Sequence, residues 1–213
     1  MAVKSVPGYR SKPRNTGTRQ RRSTILVAAE GRNKTETLYL RDFAREYNQI
    51  IAFVPGNYTD PVNMVRALIK EYKKKELDVE DGDAGYCLID SDFADTKNIQ
   101  IALADRIAER YGMRILVSGP CFEIWYLCHY GASTRQYCSG GDVLSEVRKY
   151  HPDYKKNMTG MFAATRKKIP EAIKNAERLR VACKEKGLTT HTSAFMPSTE
   201  IDELARRILS NEI

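Results

Sequence analysis

The sequence predicts an α/β protein, with a central parallel sheet flanked by helices and a mostly helical C-terminal extension. Three observations carry this. Four short apolar runs, at Thr24–Ala29 and at 50–54, 86–89 and 113–117, read as buried strands. Helical periodicities separate them, which is the alternation of βαβ units joined by right-handed crossovers. After Cys121 that alternation ends and the pattern becomes mostly helical.

Taken in order, the first strand (TILVAA) delivers Glu30 and Gly31 to its carboxyl end. A helix over 35–47 leads to the second strand. Asp60 is placed to cap a helix beginning at Pro61, whose apolar face is Val62, Val65, Leu68, Ile69 and Tyr72. The charged stretch 73–83 reads as a solvated helix end and loop. The third strand runs into CLIDSD and ends at Asp90 and Asp92. Ile99, Leu103 and Ile107 mark the face of the next helix, which Gly112 stops before the fourth strand. Residues 122–130 form an aromatic segment that reads as a helix packed on the sheet, and 131–141 form a loop. Helices are expected at 142–150, 160–168 and 170–185, the last with Ala172, Ala176, Leu179 and Cys183 on one side. A final helix starts near Ser198 or Thr199 and packs through Ile201, Leu204, Ala205 and Ile208. The organisation is then a basic arm over 1–22, an α/β core over 23–130 and a helical extension over 131–213.

Composition narrows the function classes. The chain has 213 residues and a net charge of +8, of which residues 1–22 carry +7 on Lys4, Arg10, Lys12, Arg14, Arg19, Arg21 and Arg22 with no acid. A Pro-, Gly-, Ser- and Thr-rich arm of this kind is expected to be flexible alone. It serves either as a solubilising tail or as an arm for nucleic-acid phosphates. No run of about 18 apolar residues suggests a membrane span, and no apolar signal core precedes the first strand, so a cytoplasmic protein is expected. Five cysteines without a CxxC pair read as reduced thiols, and His129, His151 and His191 are too scattered for a histidine metal site.

The acids are more telling. Ligands of a parallel sheet bind beyond the carboxyl ends of its strands, where Glu30, Asp90 and Asp92 all fall. Asp90 and Asp92 alone fit either a solvated helix-capping turn or a divalent-cation site. Magnesium keeps most of its waters and needs only one or two carboxylates beside substrate phosphates. Glu30 at the end of strand one makes the cation reading the more specific. Elsewhere, Lys155, Lys156, Arg166, Lys167 and Lys168 read as solvated helix faces or as a basic wall for a nucleic-acid backbone. Tyr150 and Tyr154 either pack or stack bases.

In order and spacing, "ILVAAEGRNKTETLYL", "YCLIDSD" and "GPCFEIWYLCHY" resemble the RloB-like proteins, a Toprim-related family associated with bacterial anti-phage, abortive-infection systems. The residues that carry the resemblance are Glu30, Gly31, Thr35 and Glu36, then Asp90 and Asp92, then Pro120, Phe122, Glu123, Trp125, Leu127 and His129. One extra residue separates Gly31 from Thr35 relative to the family pattern, which bears on the placement of Glu36. The resemblance implies a Toprim-like core and a metal-dependent nuclease acting on DNA or RNA, including tRNA, coupled to a partner ATPase. It gives Glu30 the role of general acid or base, and lets Glu30, Asp90 and Asp92 hold Mg2+ or Mn2+. Glu36, Glu123, His129 and Lys34 are accessory candidates. Glu36 serves a second cation or orients Lys34, or is simply an exposed helical acid; His129 is as well read as a core histidine. Arg19, Arg21, Arg22, Lys155, Lys156 and Lys167 are the candidate nucleic-acid contacts. The other reading is a Toprim-like subunit that binds a nucleotide or RNA without hydrolysis. A dehalogenase-type phosphatase also uses DxD, but there the pair ends the first strand.

Overall fold

A computed structural model describes residues 22–31, 34–93 and 95–210. Arg19 and Arg21, with nearly all of the basic arm, lie outside the described residues. Among the described residues five strands form one sheet: β1 (Thr24–Ala29), β2 (Ile50–Phe53), β3 (Ala84–Asp90), β4 (Arg114–Gly119) and β5 (Ser198–Thr199), in the order β2-β1-β3-β4-β5. The first four are mutually parallel, as the alternation predicts, and β5 is antiparallel to β4.

The connecting helices are α1 (Thr35–Glu46), α2 (Pro61–Lys74) and α3 (Asp95–Arg110). After β2 the chain reverses its direction of travel across the sheet, and right-handed crossovers then place the next helices on the opposite face. The packing follows this rule. Ile25, Val27, Tyr86, Leu88 and Leu116 point to the α1 side, while Leu26, Ala28, Cys87, Ile89, Ile115 and Val117 meet α2 and α3. Strand alternation thus feeds both cores from the same runs. Asp60 caps α2 as expected, accepting a hydrogen bond from the Asn63 amide at 2.7 Å.

The C-terminal part is α4 (Glu123–Cys128), α5 (Gly140–Arg148), α6 (Met161–Thr165), α7 (Ile169–Glu185) and α8 (Ile201–Leu209), with a short 3-10 turn at Arg166–Lys168. These helices complete the layer that α1 begins: Trp125, Tyr126, Tyr154, Ile169, Leu179 and Leu204 share one core with Ile25 and Val27.

Two expectations are corrected. The last helix begins at Ile201, because Ser198 and Thr199 pair as a strand with Gly119 and Ser118. Gly119 makes this approach feasible, since a Cβ there would stand 2.8 Å from the Phe195 carbonyl oxygen. A two-residue polar strand has no apolar run to announce it. On α3 the buried residues are Lys97, Ile101, Ala104 and Ala108, whereas Ile99 is 78% exposed and Leu103 49%. The face carrying two alanines wins because small residues let α3 approach α2 closely, and because that same face delivers Lys97 to the acids.

Candidate functional site

The switch point of the sheet lies between β1 and β3, where neighbouring connections leave toward opposite faces and open a crevice at the carboxyl edge. Glu30 follows β1 directly and Asp90 ends β3. Asp92 sits two residues on, with φ +52, in a turn whose amide donates to the Pro120 carbonyl at 3.1 Å. Glu30 bends back toward β3, and its Oε2 accepts the Asp90 amide at 3.2 Å.

Lys97 ties these acids together. Its Nζ stands 2.7 and 2.8 Å from the two Glu30 carboxylate oxygens and 2.7 Å from Asp92 Oδ2. The sequence reading passed over this residue. Its signal was a lysine set in the spacing of Ile101, Ala104 and Ala108, a charge inside a buried helical stripe that needs an acid partner.

Around Asp90 the negative charge is denser. Glu36 and Glu123 enter from α1 and α4 and are nearly fully buried. Glu36 is thus a buried acid, not an exposed helical one. Burial, together with the fields of Glu36, Glu123, Glu30 and Asp92, pushes the Asp90 carboxyl well above the usual carboxylate range. Burial also pushes Glu36 up to about 7, helped by Glu123. Glu36 Oε2 has no hydrogen-bond partner among the described residues. Glu123 Oε1 accepts from the Tyr154 hydroxyl at 3.0 Å, and Lys156 Nζ approaches it at 4.0 Å. The loop after α5 therefore returns to the site, bringing Tyr154 and Lys156 to Glu123. Glu30 is raised as well, chiefly by burial, against the opposing pull of Lys97.

Other candidates fall elsewhere. His129 is buried between Trp125 and Tyr39; its ring nitrogens face the Trp125 carbonyl oxygen at 2.9 Å and the Tyr39 hydroxyl at 3.3 Å. Burial lowers its pKa to about 4, as befits a neutral core imidazole. Tyr154 is buried and occupied by Glu123, so it cannot stack a base. Tyr150 is exposed and stacks on Tyr130 at 4.1 Å, with Lys168 over the Tyr130 ring. Lys155 and Lys167 lie on the exposed surface. Lys34 precedes α1, where its amide donates to Asn157 Oδ1 at 2.5 Å. Arg22 contacts Asn48 at the amino end of β1, across the length of the strand from the acids.

For a divalent cation the donor chemistry fits. Five carboxylates supply hard oxygens, one buried oxygen lacks a partner, and their mutual repulsion is the charge that a cation relieves. Among the described residues no three acid, histidine or cysteine side chains already converge on one metal position. The ammonium of Lys97 instead pairs with both Glu30 and Asp92.

Fold and site together define an α/β protein with a largely buried acid cluster, two of whose members Lys97 bridges, at the carboxyl edge of its sheet. A family model described as RloB-like protein matches residues 25–208, and the chain belongs to the RloB-like family. Comparison with curated proteins and with solved structures gave no match. Among the described residues no helix is long and apolar enough to cross a membrane.

Proposed function

We propose that the protein is a Mg2+- or Mn2+-dependent, Toprim-like nuclease that hydrolyses phosphodiester bonds of DNA or RNA, including tRNA, in bacterial anti-phage defence. The observation that carries this reading is the gathering of Glu30, Glu36, Asp90, Asp92 and Glu123 at the switch point, with a buried Glu36 oxygen left unpartnered. Such a concentration of buried charge costs stability and is kept where chemistry needs it. Asp90 and Asp92 would hold the cation, with Glu30 beside them. A bound divalent ion supplies neutralisation of phosphate charge and stabilisation of the leaving oxygen. Glu30 serves as the acid or base, and burial lifts its carboxyl above the usual carboxylate range against the opposing pull of Lys97. Lys97 holds the Glu30 carboxylate in place, and Lys156 contributes positive charge on the Glu123 side.

Glu30→Gln, Asp90→Asn and Asp92→Asn are each expected to abolish magnesium-dependent cleavage of plasmid DNA or total tRNA. Wild-type rates in all three would sink the assignment. A second reading, a nucleotide- or RNA-binding subunit without hydrolysis, draws on the Lys97 bridge, since an internal ammonium already pairs with Glu30 and Asp92. Calorimetric titration with Mg2+ separates the two, because only the first requires cation binding. Both readings place the protein beside a partner ATPase, so a neighbouring ATPase gene and cleavage assays with and without its product test that coupling.

A further inference from the structure

Beside the acids, on the outer side of β1, lies an open cleft of about 640 Å³ between α1 and the ends of β1 and β2. Its size is that of a small-molecule site. Its floor is apolar, built from Val27, Leu38, Phe53 and Val54, and among the described residues its rim carries the cations Lys34 and Arg41. The Arg41 guanidinium lies 5.7 Å from the centre of the Phe53 ring. Among the described residues neither cation has a carboxylate partner, although neighbouring Arg45 pairs with Asp42. Gly31, the residue after Glu30, lines the same cleft, and its amide is held by the Tyr58 carbonyl at 2.7 Å. The cleft and the acid cluster therefore meet at a single peptide bond.

A ligand matching this surface has a flat apolar body and negative charge at one end. We propose that the cleft is a nucleotide subsite, taking one unstacked base of a single-stranded nucleic acid against Phe53 and Leu38 and an adjoining phosphate on Lys34 and Arg41. This extends the nuclease reading and rests on it for the position of the scissile phosphate, which follows along the strand toward Glu30. A duplex keeps its bases stacked and cannot insert one without unpairing. The site therefore selects single strands, loops or ends.

The test separates binding from cleavage. Binding of a fluorescently labelled single-stranded oligonucleotide to the full chain is followed by anisotropy in EDTA, where hydrolysis is silent. Arg41→Gln and Leu38→Trp, the second filling the cleft while keeping both cations, are each expected to weaken binding about tenfold. Lys174→Gln, an equal charge change on distant α7, is expected to leave it unaltered. Free mononucleotide should compete with the oligonucleotide on wild type and lose that ability on Leu38→Trp. Melting curves check that each variant is folded, and Lys34→Gln stands in for any that is not. Wild-type affinity in folded Leu38→Trp and Arg41→Gln overturns the subsite. So does equal weakening by Lys174→Gln, which would mean diffuse surface charge only. Loss of binding in the cleft variants, with no cleavage by wild type in Mg2+ or Mn2+, keeps the subsite and removes the hydrolytic reading instead.

Discussion

Asp90 is held where its charge is least welcome, beside four other carboxylates, and Lys97 is the cation that makes the arrangement tolerable. Opposite effects on stability follow from the two residues. A carboxyl whose folded pKa is raised opposes folding once the pH exceeds its unfolded value, so neutralising it should stabilise the protein. Asp90→Asn and Glu36→Gln should therefore melt above wild type in EDTA at pH 8, and added Mg2+ should narrow the gap by stabilising wild type. Lys97→Gln removes the partner of Glu30 and Asp92 and should melt below wild type under the same conditions. Thermal melts with and without Mg2+ check both directions; an Asp90→Asn protein less stable than wild type in EDTA would contradict the charge argument. Lys97 was legible in principle, since a lone charge in a helical stripe of Ile and Ala demands a partner. Glu36 was not, because a glutamate in a first helical turn reads as an ordinary end-of-helix acid until it is seen buried within the field of Glu123.

At the scale of elements, a buried ion pair ties α7 to β5 and α8 beside their shared apolar core. Arg180 donates to both carboxylate oxygens of Asp202 at 2.5 and 2.8 Å and also to the Thr199 carbonyl, and Asp202 is 1% exposed. Removing the cation leaves a buried charge with its main partner gone. Arg180→Met should cost about 3–5 kcal/mol in urea unfolding. The double variant Arg180→Met/Asp202→Leu should recover much of that loss, which a simple packing defect would not do. The helices of this region were readable from their periodicity, as the burial of Ala172, Ala176, Leu179 and Cys183 on α7 illustrates. Their attachment was not, because the pairing of residues some 20 apart through a buried salt bridge leaves no periodic trace. The same limit explains α3, where Ile99 and Leu103 look like a core stripe and face solvent.

Across the whole molecule, His191 fastens the C-terminal segment to the α/β core. Its two ring nitrogens meet Asp105 of α3 and Glu200, and Glu200 in turn accepts the Val117 amide of β4 at 2.9 Å. Burial works against the charged imidazole, but hydrogen bonds to Asp105 and Glu200 outweigh it and raise the pKa to about 10. The folded value lies above the unfolded one. The contribution is thus fully present below about pH 6.5 and is lost as the pH rises through 10. The wild-type advantage over His191→Gln in urea midpoint should be constant between pH 5 and 6 and shrink steadily toward pH 10. A difference that does not vary with pH would mean that the histidine acts through packing alone.

Glu30, Asp90 and Asp92 were placed at one edge by sequence alone, because apolar runs separated by helical patterns force a parallel sheet and a parallel sheet gathers its strand ends. The same local signals located α1, α2 and α7. Only the tertiary structure decided that Glu36 and Glu123 converge on Asp90, that Lys97 bridges Glu30 and Asp92, and that Tyr154 and Lys156 return to the site from the far half of the chain. The physical reason is range. Periodicity and turn chemistry act over a few residues and are written in neighbouring letters. The proximity of Asp90 to Glu36 and Glu123, and the hydrogen bond of Glu123 with Tyr154, exist only once the helices of the α1 layer have packed on the sheet.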